Sequence, residues 1–237
     1  MIALLSYLHS CYIRSYRFGP PVFIFLFGIT FIYMVVPNPV MESYSFSISF
    51  LFVISAAISY SMMDIEAPSQ EAVTMLHAGS FIRTTFGKLL YSWLFTLPLA
   101  LFAVLYPALF NKFDRVAGLD ELTLSLLYHL AGSWLGITLA CWFSSKLVRS
   151  RTTSFLSLSL VIVVAFCVSP LEKELPDSLK PLKWLLPPLD EIIQLLFHFE
   201  DATLASKLLA LAAPLLYGTI LCALFLMLLN KRRLDSL

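Results

Sequence analysis

The sequence predicts an all-α integral membrane protein of six transmembrane helices, folded as one membrane domain over residues 1–237. Three observations predict it. Of the 237 residues, 59% are hydrophobic. The mean hydropathy is +0.84, far more apolar surface than a water-soluble domain of this length needs to bury. The apolar residues fall into runs of about 20, the length that crosses about 30 Å of hydrocarbon at about 1.5 Å per residue. Polar and apolar residues do not alternate in ten-residue segments, as a transmembrane barrel would require, and the runs are rich in Leu, Phe, Ile and Ala.

Residues 1–17 read as an amphipathic helix in the membrane interface. Arg14 and Arg17 follow the apolar Met1–Leu8 stretch rather than precede it, so no secretory signal is expected there. The six spans are expected at Phe18–Val36, Tyr44–Met63, Leu89–Phe110, Leu122–Phe143, Thr152–Ser169 and Leu208–Leu229. Pro37-Asn-Pro39 cannot continue a helix and makes a short turn after the first span. Between the fifth and sixth spans, Pro170–Lys207 carries two apolar pieces, Leu182–Leu186 and Ile192–Phe199, each too short to span. They are expected as short outer re-entrant or interfacial helices, or as a loop that caps the bundle.

Basic residues near span ends set the orientation. With the N-terminus inside, the inner segments hold Arg14, Arg17, Arg83, Lys88, Lys146, Arg149, Arg151, Lys231, Arg232 and Arg233 of the sixteen Lys and Arg. Four of the other six lie in the long 170–207 segment, where charge bias counts for little. The expectation is a multi-pass protein of the cytoplasmic membrane with both termini inside.

Covalent chemistry finds little support. There is no H-E-x-x-H and no pair of intramembrane carboxylates. Gly87-Lys88 lacks the upstream glycine and the following Ser or Thr of a phosphate-binding loop. Cys11, Cys141, Cys167 and Cys222 show no C-x-x-C spacing and read as packing residues. No catalytic, cofactor-binding or metal-ligating residue is expected. His129, the ionisable residue well inside a span, reads as a hydrogen-bonded core histidine, with a functional role as the alternative. His198, Glu200 and Asp201 read as a solvated loop rather than a metal cluster.

Small and hydroxyl side chains form two faces. Ser45, Ser49, Ala56 and Ser59 recur near helical spacing in the second span, and Ser154, Ser157 and Ser159 in the fifth. Such faces are either tight helix contacts, at a dimer face or within the bundle, or the walls of a mildly polar pathway. Gly132-x-x-x-Gly136 permits a close helix approach in the fourth span.

The polar insert between the second and third spans is the most specific feature. Asp64 and Glu66 follow the second span, and Pro68-Ser-Gln70-Glu71 reads as a helix start with acidic and polar residues in its first turn. Val73, Met75 and Leu76 are its apolar residues, Gly79 stops it, and Arg83 and Lys88 bring the chain back to the membrane.

Glu66, the run Val73 to His77, the Ala78-Gly-Ser80 turn, Arg83 and Gly87-Lys88 together resemble permeases of the ABC-2 exporter family. The pattern departs at 78–80, where the family commonly has a proline. At lower specificity the resemblance covers the whole chain. It implies that the insert is a cytoplasmic coupling helix seated in a groove of a separate ABC ATPase, with Met75 and Leu76 as anchors. Glu66, Gln70, Glu71 and Arg83 would form the polar rim. It also implies pairing with a second permease copy or related chain, export of an amphiphilic substrate such as a peptide, and ATP and Mg held by the partner rather than by this chain. No nucleic-acid partner is expected. A membrane scaffold or sensor that anchors a cytosolic partner, and a lipid-acting membrane enzyme, are the alternatives.

Overall fold

A computed structural model describes residues 1–168 and 186–234, with the side chains of 233 and 234 left aside. The chain is helical, and among the described residues it contains no strand. Helix α1 (Ile2–Ser15) ends at Tyr16, whose φ of 56° lies in the left-handed region. This turns the path through nearly a right angle into α2 (Gly19–Ile32), where Pro20 and Pro21 occupy first-turn positions whose N–H groups need no helical partner. The two helices meet at 80°. Then come α3 (Val40–Met63), α4 (Pro68–Ala78), α5 (Phe81–Leu109) and α6 (Leu119–Ala140), which runs on as a 3₁₀ turn over Cys141–Phe143. The remaining helices among the described residues are α7 (Arg151–Phe166), α8 (Leu189–Phe197) and α9 (Leu204–Leu234).

Among the described residues, four helices are long and apolar enough to cross a membrane: α3, α5, α6 with its 3₁₀ extension, and α9. They cover the second, third, fourth and sixth expected spans. A fifth is reached if the bent pair α1 and α2 counts as one span. Alone, α2 has 14 residues, about 21 Å at 1.5 Å per residue and short of about 30 Å. It ends at Ile32 rather than running to Val36; Tyr33 and Met34 already turn, and Pro37 disfavours helical geometry at Val36. The fifth expected span appears as α7 at 16 residues, also short. The structure therefore gives a multi-pass helical bundle with four to five spans by length and composition. Leu182–Leu186 lies almost wholly outside the described residues, and Ile192–Phe199 falls largely on α8.

Helix α3 is the centre. It packs most extensively on α6 and also on α5, α8 and α2. The α3–α6 seam is close because α6 presents small residues there: Gly132 faces Ile48, and Gly136 lies against the Phe52 carbonyl and the Ser55 hydroxyl. A side chain at Gly136 would push the backbones apart. Ser59 crosses the seam to the Ile137 carbonyl at 2.9 Å. A core of Tyr44, Ile48, Phe52, Tyr128, Leu135, Leu189 and Ile192 fills the space among α3, α6 and α8. The short α8 is buried along Leu189, Ile192, Leu195 and Leu196, with its acidic first turn outside this stripe.

Indole N–H groups tie α6 to its neighbours. Trp93 donates to the Leu130 carbonyl at 3.1 Å, Trp134 to the Thr219 hydroxyl at 3.3 Å and Trp142 to the Leu221 carbonyl at 3.3 Å. The Trp93 and Trp134 rings meet edge to face at 6.0 Å.

Large apolar side chains cover the outside: Phe23, Phe27 and Phe31 on α2, Phe155 and Leu160 on α7, and Leu216, Ile220 and Met227 on α9. Only 22% of the apolar stretch of α9 is buried, against 72% for α6. Such a surface is intolerable in water and suits hydrocarbon.

Candidate functional site

Helix α4 stands apart from the apolar bundle, and what holds it there is charge. Pro68 starts it, Glu71 lies in its first turn, and Gly79 stops it at a φ of 75°, which glycine adopts without strain. Ser80 then caps α5, its hydroxyl facing the Arg83 N–H at 3.5 Å. None of the eleven residues of α4 is buried. Apolar packing therefore contributes little to its position.

The polar contacts are dense. Lys88 of α5 is fully buried, with its Nζ 2.9 Å from Glu66 Oε2, 2.8 Å from Glu71 Oε1 and 3.4 Å from the Met63 carbonyl. Lys146, in the 144–150 connection, reaches the same Glu71 oxygen at 2.5 Å. Glu66 Oε1 accepts from Tyr7 of α1 at 3.0 Å and from Thr74 at 2.5 Å. Its Oε2 makes the ion pair to Lys88 and, among the described residues, no hydrogen bond. Gln70 donates to the Tyr7 hydroxyl at 2.6 Å. Nearby, Ser145 donates to Asp64 Oδ1 at 2.6 Å, and the Arg17 guanidinium to the Asp64 carbonyl at 2.8 Å.

Two carboxylates thus meet two ammonium groups, and the cluster is neutral as a whole. Neutrality is what makes burial tolerable, since an isolated ion out of water costs several kcal/mol or more. Burial by itself would raise the Glu71 carboxyl, but Lys88 and Lys146 together hold it below its ordinary value. Burial pushes the Lys146 ammonium down, against the pull of Glu71. The cluster is closed on itself, and its effect is mechanical: it joins α1, the 64–67 link, α4, α5 and the 144–150 connection at one end of the bundle.

The residues singled out from the sequence divide accordingly. Glu66 and Glu71 turn inward to the lysines. Gln70 and Arg83 are exposed, Met75 is half-buried, and Leu76 is 80% exposed. Two grooves flank the outer ridge of α4. One, about 520 Å³ between α1 and α4, is lined by residues including Leu4, Tyr7, Val73, His77 and Arg83. The other, about 350 Å³, is lined by Ala72, Met75, Leu76, Gly79, Ser80 and Phe81. The sequence places Thr74 and Lys88 in or beside the insert but does not show that they, Lys146 and Tyr7 close on Glu66 and Glu71. The available signal was the placement of two acidic and two basic residues at the same ends of neighbouring spans.

The hydroxyl faces serve helix contacts where they cross at all. Ser59 bonds α6, and Ser154 of α7 bonds the Tyr60 hydroxyl at 3.1 Å and the Phe143 carbonyl. Ser45 and Ser49 bond carbonyls of their own helix, at 2.6 and 2.7 Å. Ser157 is half-buried.

His129 is fully buried with both ring nitrogens engaged, Nδ1 at 2.7 Å from the Ser125 carbonyl and Nε2 at 2.8 Å from Ser47 Oγ. A carbonyl only accepts, so Nδ1 carries the proton. In the neutral ring Nε2 then accepts from the serine hydroxyl. At the opposite end from α4, Arg115 grips Glu121 through two bonds of 2.8 and 2.6 Å, and Glu121 also accepts from the Gly118 N–H at 2.8 Å. His198 is engaged with the Gln194 carbonyl at 3.1 Å.

Comparison of the chain with protein-family models, with curated proteins and with solved structures gave no match in any of the three.

Proposed function

We propose that the chain is the membrane-spanning permease subunit of an ATP-driven exporter of the ABC-2 type, with α4 as its coupling helix. The observation that carries this reading is the exposed ridge of α4, with Leu76 80% and Val73 53% exposed between two grooves, on a helix that contributes nothing to the apolar core. A short helix that offers a few apolar anchors beside polar residues has the makings of helix-in-groove recognition. A helix resting on lipid would be rich in Lys and Arg, and α4 contains neither.

On this reading α2 and α7 complete six spans, both termini lie in the cytoplasm, and α8 belongs to the outer end. Two such chains, identical or related, work with two ATPase subunits that carry ATP and Mg. The ATPases close on nucleotide and move α4, which switches the bundle between states of different access. The cargo is an amphiphile, with a peptide as the favoured class. The spans' apolar character argues against a small ion, which would want opposite charge at the midplane.

The test is a photo-crosslinker at Leu76 in native membranes, followed by mass spectrometry of what it captures. An ATP-binding-cassette ATPase is the expected capture, and Leu76→Asp should weaken its binding by about 2 kcal/mol, roughly thirtyfold in Kd. Capture of lipid alone would overturn the reading, and capture of a protein without ATPase activity would replace it by a scaffold.

A further inference from the structure

We propose that Glu71, Lys88 and Lys146 form a releasable ionic latch that sets the position of α4, with Glu66 as the counter-charge that lets the latch open. The inference deepens the coupling-helix reading in its purpose, but the latch itself is a property of this chain alone.

Helix α4 has no apolar anchor in the bundle. With no buried residue, it is held to the rest of the molecule by Gln70, Glu71 and Thr74. Of these, Glu71 alone is charged. One of its oxygens, Oε1, meets both Lys88 Nζ at 2.8 Å and Lys146 Nζ at 2.5 Å. A single carboxylate oxygen thus fastens α4 to α5 and to the connection between α6 and α7. Moving Glu71 outward by a few ångströms breaks both contacts together.

Release is feasible only if the lysines left behind stay paired. Lys88 is fully enclosed, and a bare ammonium there would be prohibitive. Glu66 removes that obstacle. Its Oε2 already lies 2.9 Å from Lys88 and makes no hydrogen bond, so it has acceptor capacity to spare. Its Oε1 is pinned by Tyr7 from α1, which keeps the carboxylate in place when α4 departs. Lys146 is 10% exposed at its side chain and lies 5.6 Å from the Phe81 ring centre, so it has water and a ring face to turn to. Lys88 therefore has two supported states, shared between two carboxylates or held by Glu66 alone.

The two glutamates consequently have different roles. Glu71 is the movable half, and Glu66 the fixed half. Both act as positioning residues, and each change in the place of α4 is felt by α5 through Lys88 and by the start of α7 through Lys146. This is the two-state element that coupling between a docked partner and the spans requires.

The experiment is amide hydrogen exchange, read by mass spectrometry on the purified full chain in lipid nanodiscs, with wild type, Glu71→Gln, Glu71→Asp, Lys146→Met and Glu66→Gln. Glu71→Gln should raise exchange across residues 70–78 by about tenfold while residues 89–109 keep wild-type protection. Lys146→Met should give a smaller rise in the same residues, and Glu71→Asp, which keeps the charge, should restore much of the protection. Glu66→Gln should instead raise exchange at the start of α5, around Lys88, as well as in α4. Wild-type exchange in α4 of both Glu71→Gln and Lys146→Met would overturn the latch. So would an equal rise throughout α5 in Glu71→Gln, because Glu71 would then be an ordinary structural pin. No ATPase is present in this measurement. A failure of partner capture at Leu76 would therefore remove the permease reading and leave the latch standing, and the converse holds as well.

Discussion

Ser59 on α3 donates its hydroxyl proton to the main-chain carbonyl of Ile137 on α6, at 2.9 Å, beside the point where Gly136 meets the α3 backbone. A buried helix carbonyl already serves its own helix, so the serine adds a second bond and specifies how the two central helices sit along one another.

The seam should therefore respond unequally to two substitutions. Ser59→Ala loses one interhelical bond, about 0.6 kcal/mol in membrane helices. Gly136→Val forces a side chain against the Phe52 carbonyl and should cost about 1–3 kcal/mol or more. Denaturant titration in mixed micelles checks the order. Equal effects would mean that the close approach carries no particular weight.

Lys88→Met removes the cation paired with the enclosed Glu66 carboxylate. The expected loss is about 3–5 kcal/mol, as for other broken buried pairs, and Glu66→Gln in the same chain should recover most of it. If the double variant is as unstable as Lys88→Met, the lost stability resides in packing around the lysine stem rather than in charge.

Glu71 gives the cluster a pH dependence. Its folded-state value lies below the ordinary 4.5, held there by the two lysines against the effect of burial. A depressed carboxylate adds stability that is fully present above its unfolded value and is lost as pH falls through the folded one. The gap in unfolding temperature between wild type and Glu71→Gln should thus be constant from about pH 7 to 5 and shrink below about pH 4.5. Thermal scans of both proteins across that range decide it, and a gap that widens in acid would contradict the assignment.

His129→Leu should be mild. The Ser125 carbonyl is a helix carbonyl with its own partner, and Ser47 already lies 3.1 Å from the Tyr44 carbonyl and can turn its proton there. The cost should be about 1 kcal/mol in a denaturant titration, and on the proposed function transport should be retained. Transport lost at unchanged stability would give the imidazole a working role instead.

The spans α3, α5, α6 and α9 were legible because each carries a run of about 20 residues without Asp, Glu, Lys or Arg, and the position of α4 because Pro68 and Gly79 bracket it. Length was less legible than existence. Tyr33 to Val36 look as apolar as the helix before them, and the following proline accounts for Val36 alone leaving it. The elbow at Tyr16 left no trace, since a left-handed tyrosine has no sequence signature. The cluster around Lys88 was hidden for a different reason: Glu71 and Lys146 are 75 residues apart, and their meeting depends on α4 folding back under α5. Read alone, Glu66 and Glu71 pass for solvent-facing residues of a polar insert. Their inward turn follows from two lysines that the bundle cannot enclose without them.

The indole pairs of α6 give the molecule an optical handle. Trp93 and Trp134, with rings 6.0 Å apart, are close enough for their near-ultraviolet transitions to couple, and Trp142 lies 6.0 Å from Phe225 on α9. Any rearrangement that slides α5 or α9 past α6 must alter the near-ultraviolet dichroism and emission of these rings. The unlabelled chain therefore carries a built-in spectroscopic gauge of its own helix packing, one that can be read in a cuvette while substrates or partners are added.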